Sequence, residues 1–150
     1  LRELLSSAAS GFAAQAREQG VELVLQLAPA CALWADRLQL EVVLRNLLAN
    51  AFEAAAERPP AERQVHVSAH LDSAGHVCIT VEDSGRGVSE EMEERLFEPF
   101  HSSKASGLGL GLAISRAIIE AHGGRLWAEA GDRGVFKLVL PVEEKPARDI

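Results

Sequence analysis

The sequence predicts an α/β (α+β) two-layer sandwich: a mixed, mostly antiparallel sheet of about five strands, covered on one face by about three helices. Apolar residues alternate with polar ones in a series of short segments, which is the period of a strand with one buried face. In longer segments the apolar residues recur at steps of three and four, which is the period of a helix. The strand segments outnumber the long helices and mostly follow each other as hairpins. This order favours an antiparallel sheet with helices layered on one face.

The segments of helical period have recognisable ends. Gly20 ends the first of them, and the pair Gly123-Gly124 ends the last. Asp36 can cap the second, because Gln39 stands three residues further on, as in an approximate capping box. A shorter acidic helix is also predicted before the last one. The predicted helices are 2–19, 36–57, 90–97 and 110–122.

The strand segments pair through short turns. Asp72-Ser73-Ala74-Gly75 is a turn that joins the second and third segments into a hairpin. Pro141 closes a second hairpin, made by the last two segments. The predicted strands are 21–27, 65–71, 77–81, 126–130 and 135–140, with a glycine-rich loop at 83–88 and irregular chain at 98–106.

Length and composition point to one globular domain. The 150 residues are 47% hydrophobic and 25% charged, with a formal net charge of −7. Such a chain can bury a core, and its acidic balance argues against nucleic-acid binding and against contact with an anionic membrane. Cys31 and Cys78 stand apart among apolar neighbours, so we expect buried apolar side chains rather than metal ligands. Because the chain starts at Leu1 and not at Met, we expect it to be a piece of a longer protein.

A line of polar residues flanks the apolar face of the second predicted helix. Asn46, Asn50, Glu53 and Glu57 follow each other at steps of three or four, so they share one line along it. For these residues alone, a satisfied or solvated polar line and a metal and phosphate site have equal weight. In the second interpretation the neutral amide oxygen of Asn50 is a ligand of Mg²⁺, which takes further oxygens from substrate phosphates and water.

A first glycine-rich motif follows the third predicted strand. Asp83 comes directly after the strand, and Gly85 and Gly87 stand behind it, where the backbone can approach a ligand closely. A buried carboxylate at this point can accept a hydrogen bond from an exocyclic amine such as that of adenine. The motif by itself favours the alternative, a tight turn capped by the Asp83 side chain.

A second glycine-rich motif opens the last predicted helix. Gly107, Gly109 and Gly111 alternate with leucines, and free amides at a helix N-terminus can hold phosphate. The spacing is neither that of a P-loop nor that of a dinucleotide-binding turn. A merely flexible loop is the alternative, and it explains the interleaved leucines poorly.

Taken together and in this order, these motifs resemble the ATP-binding boxes of the sensor histidine kinases. The chain is similar to their catalytic and ATP-binding domain, a member of the superfamily that includes gyrase, a heat-shock ATPase chaperone and MutL. The resemblance covers about residues 1–141 and implies one such domain over 1–142, followed by a charged, frayed tail at 143–150. The N box, first glycine box, F box and second glycine box resemble residues 45–51, 83–87, 96–100 and 107–112.

The resemblance implies roles for individual residues. Asn50 would be the Mg²⁺ ligand and Asp83 the carboxylate that reads adenine. Lys104 would meet a terminal phosphate from a short lid at 101–106, anchored by Phe97 and Phe100. Asn46, Asn50 and Lys104 would be the catalytic residues. The residues implied in nucleotide binding are Asn50, Ala54, Asp83, Gly85, Gly87, Val88, Phe97, Ser102, Ser103, Lys104, Gly107, Leu108, Gly109, Leu110, Gly111 and Leu112.

Some positions depart from the family pattern. Ser84 stands where many members carry Asn, and Glu53 stands where some carry a phosphate-contacting Lys. The last strand, 134–136, lacks the Thr that often supports the adenine pocket. Asn46 occupies the position at which ATPase members carry a Glu that activates water, and a neutral amide cannot act as a general base. The γ-phosphoryl group would therefore be kept for another nucleophile.

The implied function is binding of Mg-ATP and donation of the γ-phosphoryl group to a histidine on a separate dimerisation and phosphoacceptor domain. A response-regulator receiver domain would act downstream, in the cytoplasm, without nucleic acid or direct membrane contact. None of the histidines lies in an acidic helical acceptor motif, so we expect no autophosphorylation by this chain alone. The alternatives are an anti-sigma-factor serine kinase of the same superfamily, an inactive nucleotide-binding module and a gyrase-like ATPase. The histidines are His66, His70, His76, His101 and His122.

Overall fold

The computed structural model describes residues 1–27, 36–72, 74–99 and 110–141, and these contain a five-stranded sheet. The strand order is β1-β2-β3-β5-β4, in which β1 pairs parallel to β2 and every other pair is antiparallel. The predicted mixed, mostly antiparallel sheet is confirmed, including both hairpins. The strands are β1 Glu22–Gln26, β2 Gln64–Leu71, β3 His76–Asp83, β4 Arg125–Glu129 and β5 Gly134–Pro141.

The described residues form four α-helices, because the first predicted helix is broken in two. The break falls at Gly11 and Phe12, where the ring of Phe12 stacks on the buried Phe52 at 5.2 Å between centroids. Glycine lowers helix propensity, and this ring contact stabilises the turn. The end at Gly20 is confirmed, with φ at 65°. The helices are α1 Arg2–Ser10, α2 Ala13–Gln19, α3 Arg37–Ala56 and α4 Gly111–Ala121.

The start of α3 agrees with its predicted cap. The Asp36 carboxylate accepts a hydrogen bond from the Gln39 N–H at 3.1 Å, which satisfies one free donor of the first turn. The prediction of an acidic helix over 90–97 was wrong: the segment forms turns and one 3₁₀ turn, Arg95–Phe97. Like-charged glutamates three and four positions apart oppose a helix there, and Glu90 and Glu94 form one such pair.

The core lies between the inner face of the sheet and the helices α1, α3 and α4. Alternate residues of β2, β3 and β5 are buried, as the strand period predicts. The other face of the sheet is more open, and Cys78 lies there half-buried, so its expected full burial was wrong. Cys31 lies outside the described residues. Among the described helices, none has the length and apolar character needed to cross a membrane. The largest fully buried apolar side chains are Phe52, Leu47, Ile119, Leu126 and Leu138.

Candidate functional site

A cleft of about 590 Å³ opens where the C-terminal half of α3 faces the end of β3 and the start of β5. That volume suits a small-molecule ligand. Five of the residues implied in nucleotide binding come together on its walls: Asn50, Ala54, Asp83, Gly87 and Val88. The described residues that line it are Asn50, Glu53, Ala54, Glu57, Asp83, Arg86, Gly87, Val88, Leu96, Gly134 and Phe136.

Asp83 is the buried charge of this cleft. It is the last residue of β3 and only 2% exposed. Its Oδ1 accepts a hydrogen bond from the Gly85 N–H at 2.8 Å, and the Gly134 N–H also donates to the carboxylate. Burial raises the pKa of Asp83, while these two donors and the charge of Arg133 act in the opposite direction. The tight turn capped by Asp83, which the motif by itself favoured, is present, and the same carboxylate lines the cleft.

Glycines shape the walls around this carboxylate. A Cβ at Gly85 would lie 2.8 Å from Asp83 Oδ1 and 2.9 Å from the Cβ of Ala54. Gly87 has φ at 80°, and a Cβ there would overlap the carbonyl oxygen of Gly131. Both positions therefore require glycine, for close approach in the first case and for close approach and backbone conformation in the second.

Gly134 is a site residue that the sequence reasoning missed. It opens β5 directly opposite Asp83 in the strand register, and a Cβ there would overlap the Asp83 carboxylate. The signal was available in the sequence as a glycine at the start of the last strand. Its meaning depends on the pairing of β3 with β5, which joins residues about fifty positions apart.

Asn50 and Asn46 lie on the same side of α3 but have different surroundings. Asn50 lines the cleft. Asn46 lies one turn earlier, outside the cleft lining, and its Nδ2 donates to the Gly111 carbonyl oxygen at 3.2 Å and to Ser115 Oγ at 3.1 Å. The polar line of α3 is thus divided between the cleft and the contact with α4.

Among the described residues of its lining, the cleft carries more negative than positive charge. Glu53, Glu57 and Asp83 line it, against Arg86, whose Nε lies 4.0 Å from Glu57 Oε2. The described residues contain no group of three His, Cys, Asp or Glu side chains suited to hold a metal ion. The oxygens of Asn50 and Glu53 fit Mg²⁺, which binds few protein ligands and completes its shell with water and phosphate oxygens.

The F box lies behind the cleft. Phe97 is buried and meets Phe136 edge-on at 6.2 Å, with the Arg116 guanidinium 4.7 Å above its ring. Its neighbour Leu96 reaches the cleft wall. Phe97 therefore supports Phe136, which itself lines the cleft.

The remaining predicted residues fall into two groups. Leu110 precedes α4, Gly111 begins it and contacts Asn46, and Leu112 packs against the core; none of these three is among the described residues of the cleft lining. The predicted lid, 101–106, and the other lid-side residues lie outside the described residues. That second group comprises Phe100, Ser102, Ser103, Lys104, Gly107, Leu108 and Gly109.

The chain is similar to known proteins in sequence and in fold. The model of the family "Histidine kinase-, DNA gyrase B-, and HSP90-like ATPase" matches residues 35–144. The sensor protein FixL of Bradyrhizobium diazoefficiens is 40% identical over 148 residues, which cover 97% of this chain and 29% of FixL. The chain therefore spans less than a third of the length of that relative.

Solved structures show the same fold. The catalytic domain of the histidine kinase ThkA superposes with a TM-score of 0.83 at 32% identity, over 95% of this chain and 92% of that one. ThkA has also been solved in complex with the response regulator protein TrrA. Full-length ShkA in complex with AMPPNP superposes with a TM-score of 0.80 at 30% identity, over 97% of this chain and 30% of that one.

Proposed function

The chain belongs to the histidine kinase-, DNA gyrase B- and HSP90-like ATPases, as a histidine kinase ATP-binding catalytic domain, and we propose that it binds Mg-ATP in the cleft beside Asp83. It then donates the γ-phosphoryl group to a histidine on a separate dimerisation and phosphoacceptor domain. The bond between the β,γ-bridging oxygen and the γ-phosphorus breaks, a bond from that phosphorus to an imidazole nitrogen forms, and ADP leaves.

The buried carboxylate of Asp83 is the observation that carries this proposal. A carboxylate has about four acceptor positions, and the N–H groups of Gly85 and Gly134 use two of them. The carboxylate also lines the cleft, so it can accept a hydrogen bond from the exocyclic amine of adenine. Glycine at position 85 lets the backbone approach this carboxylate, because a Cβ there would lie 2.8 Å from Asp83 Oδ1, and Gly87 and Val88 line the cleft together with Asp83.

The charge of the cleft supports a magnesium complex as the bound form. A triphosphate brings several negative charges toward Glu53 and Glu57, which would repel it. Mg²⁺ held by Asn50 would offset that repulsion and neutralise charge on the transferred group. Some members of the family carry a phosphate-contacting Lys where this chain has Glu53. Without that Lys, nucleotide binding depends more strongly on Mg²⁺.

The amide at position 46 supports transfer to a side chain over hydrolysis. An Asn cannot take a proton from water, and its Nδ2 is already donating to α4. Positioning and charge neutralisation then remain as the catalytic contributions. Lys104, from the predicted lid, would add a cation at the γ-phosphate.

The phosphoacceptor and the downstream partner lie on other domains in this proposal. His66 and His70 lie on β2, His76 begins β3, and the ring of His122 bonds to the backbone at the end of α4. None of these four described histidines is an exposed helical acceptor, and His101 lies outside the described residues. We therefore keep the expectation that this chain alone does not autophosphorylate as part of the proposal. The complex of ThkA with a response regulator supports a receiver domain as the next partner. Cytoplasmic ATP makes the cytoplasm the expected location.

Calorimetric titration of ATP and ADP, with and without Mg²⁺, tests the nucleotide site. Asp83→Ala should abolish binding of both nucleotides, because it removes the adenine acceptor. Asn50→Ala should remove mainly the part of the affinity that depends on Mg²⁺. Val135→Ala, on the half-buried outer face of β5, is the matched control and should bind as wild type does. Wild-type affinity in both site variants would contradict the site assignment.

A transfer assay tests the acceptor chemistry. The domain is mixed with a separately prepared pair of acceptor helices and ATP labelled at the γ-phosphate. The proposal expects acid-labile label on histidine. Label on Ser or Thr would instead favour the anti-sigma-factor type of serine kinase, and release of labelled phosphate alone would favour an ATPase.

A further inference from the structure

Two polar contacts connect α3 to α4, one near each end of α4. Near the cleft, Asn46 Nδ2 donates to the Gly111 carbonyl oxygen at 3.2 Å and to Ser115 Oγ at 3.1 Å. At the far end, the Asp36 N–H donates to His122 Nε2 at 3.1 Å. The two helices are therefore held at two points, and the first of these is one turn of α3 away from Asn50, which lines the cleft.

The orientation of the Asn46 amide is fixed by its partners. A backbone carbonyl can only accept a hydrogen bond, so the NH₂ group and not the oxygen must face Gly111. Both amide hydrogens are then engaged, one by Gly111 and one by Ser115, which is fully buried. Loss of the donor to the buried Ser115 Oγ is costly, whereas the Gly111 carbonyl oxygen is exposed to solvent.

We propose that Asn46 is a positioning residue, which holds the first turn of α4 at a fixed place relative to Asn50. Asn46 and Asn50 are one helical turn apart on α3, so α4 is anchored about 6 Å along the helix from the metal ligand. The free N–H groups of an α-helix lie in its first turn, where they can meet phosphate oxygens. Asn46 thus acts on the triphosphate through α4. This inference rests on the proposed function.

The room around Gly111 agrees with this role. A Cβ at Gly111 would lie 3.7 Å from Asn46 Cγ, an ordinary van der Waals distance. The contact therefore depends on the carbonyl group of Gly111 and not on its missing side chain. An Ala at this position should keep the hydrogen bond.

The test measures ATP, ADP and adenosine binding to Asn46→Leu, Ser115→Ala and the double variant. Leu has nearly the shape of Asn but carries no hydrogen-bond donor, and both side chains are uncharged. Asn46→Leu should weaken ATP and ADP by about tenfold and leave adenosine unchanged, because only the phosphates meet α4. Ser115→Ala should weaken ATP by roughly two- to fivefold. The double variant should be no weaker than Asn46→Leu alone, since both changes remove one shared contact.

Three results would overturn the proposal. Wild-type ATP affinity in Asn46→Leu would show that the contact has no effect. An equal loss of adenosine would show general damage to the fold. A loss of ATP affinity in Asn46→Leu without faster amide exchange at residues 111–115 would show that Asn46 acts on the nucleotide directly and not through α4. Should Asn46→Leu not fold, the two- to fivefold change in Ser115→Ala decides by itself.

Two controls separate this proposal from the proposed function. His122→Ala removes the far contact between the same helices and should leave ATP affinity near wild type. Asp83→Ala should abolish binding of all three ligands, and if it does not, the proposed nucleotide site fails. The positioning of α4 is then still measured without nucleotide, by amide hydrogen exchange at residues 111–115. Exchange there should be faster in Asn46→Leu, and unchanged exchange would contradict the anchoring.

Discussion

A single methyl group at Gly134 tests the construction of the cleft. In Gly134→Ala the new Cβ would lie 2.6 Å from Asp83 Cγ and overlap a carboxylate oxygen. An ordinary carbon contact needs about 3.5 Å, so the carboxylate must move by roughly 1 Å. Its hydrogen bond from the Gly85 N–H, 2.8 Å long, would then exceed the usual limit.

The expected effect of Gly134→Ala has two parts, one on the free energy of unfolding and one on nucleotide affinity. Overpacking of a buried position costs about 1–3 kcal/mol in the free energy of unfolding. A displaced carboxylate also loses its hydrogen bond to the adenine amine, which for a charged acceptor contributes about 1.5–3 kcal/mol. That loss corresponds to nucleotide affinity about ten- to a hundredfold weaker. Both changes should appear in the same variant.

Urea unfolding and calorimetric ATP titration measure the two parts. Gly131→Ala is the matched control, because it lies shortly before β5 and a Cβ there meets nothing within 4 Å. It should unfold and bind ATP close to wild type. If Gly134→Ala were as stable as the control and bound ATP as tightly, the carboxylate would not be confined as the structure has it, and the steric reasoning would be refuted.

Four further predictions concern Asp83, Arg116 and Phe52. Acidification should weaken ATP binding, because protonated Asp83 loses an acceptor; titrations across pH should show this dependence in wild type and not in Asp83→Asn. The free energy of unfolding should instead increase on acidification. The pKa of Asp83 in the folded chain lies above 3.8, its value in the unfolded chain. The stabilisation from protonated Asp83 is therefore fully present below pH 3.8 and is lost as the pH rises through the folded pKa. Arg116→Gln should speed hydrogen exchange around Phe97, since it removes the cation above that ring; unchanged exchange would mean that the contact contributes nothing. Phe52→Ala should destabilise by about 3–5 kcal/mol in urea unfolding, because Phe52 is fully buried against Phe12; a loss below about 1 kcal/mol would contradict that burial.

Local sequence patterns predicted most of the fold because they depend on short-range periodicity. The alternation along β2 and β3 and the turn between them determine the hairpin, and Asp36 determines where α3 begins. The break at Gly11 escaped prediction, since helical period continues across it. Its cause is the tertiary stack of Phe12 on a residue of α3, which no local window contains.

The site divides in the same way. Asp83, Gly85 and Gly87 stand out because they belong to one short motif, and Asn50 because it shares a helix line with other polar residues. Their roles were implied by the family resemblance and not by these patterns alone. Gly134 and the contact of Asn46 with α4 were missed because each depends on elements brought together by the fold. The register of β3 with β5 places Gly134 opposite Asp83, and the packing of α3 on α4 brings Asn46 to Gly111.

A buried carboxylate with an elevated pKa needs a physical reason to persist in a core. Asp83 reduces stability at neutral pH, and the two glycine N–H groups and Arg133 offset only part of the desolvation. If packing were the only requirement, an apolar residue at this position would give a higher free energy of unfolding. A side chain at Gly85 or at Gly134 would clash with the Asp83 carboxylate, so the surrounding chain is fitted to this carboxylate. The Asp83 carboxylate weakens the fold, yet its neighbours fit it closely and it lines a cleft. Ligand binding is the best explanation for such a group. The ligand must present a hydrogen-bond donor to that point, as the amine of adenine does.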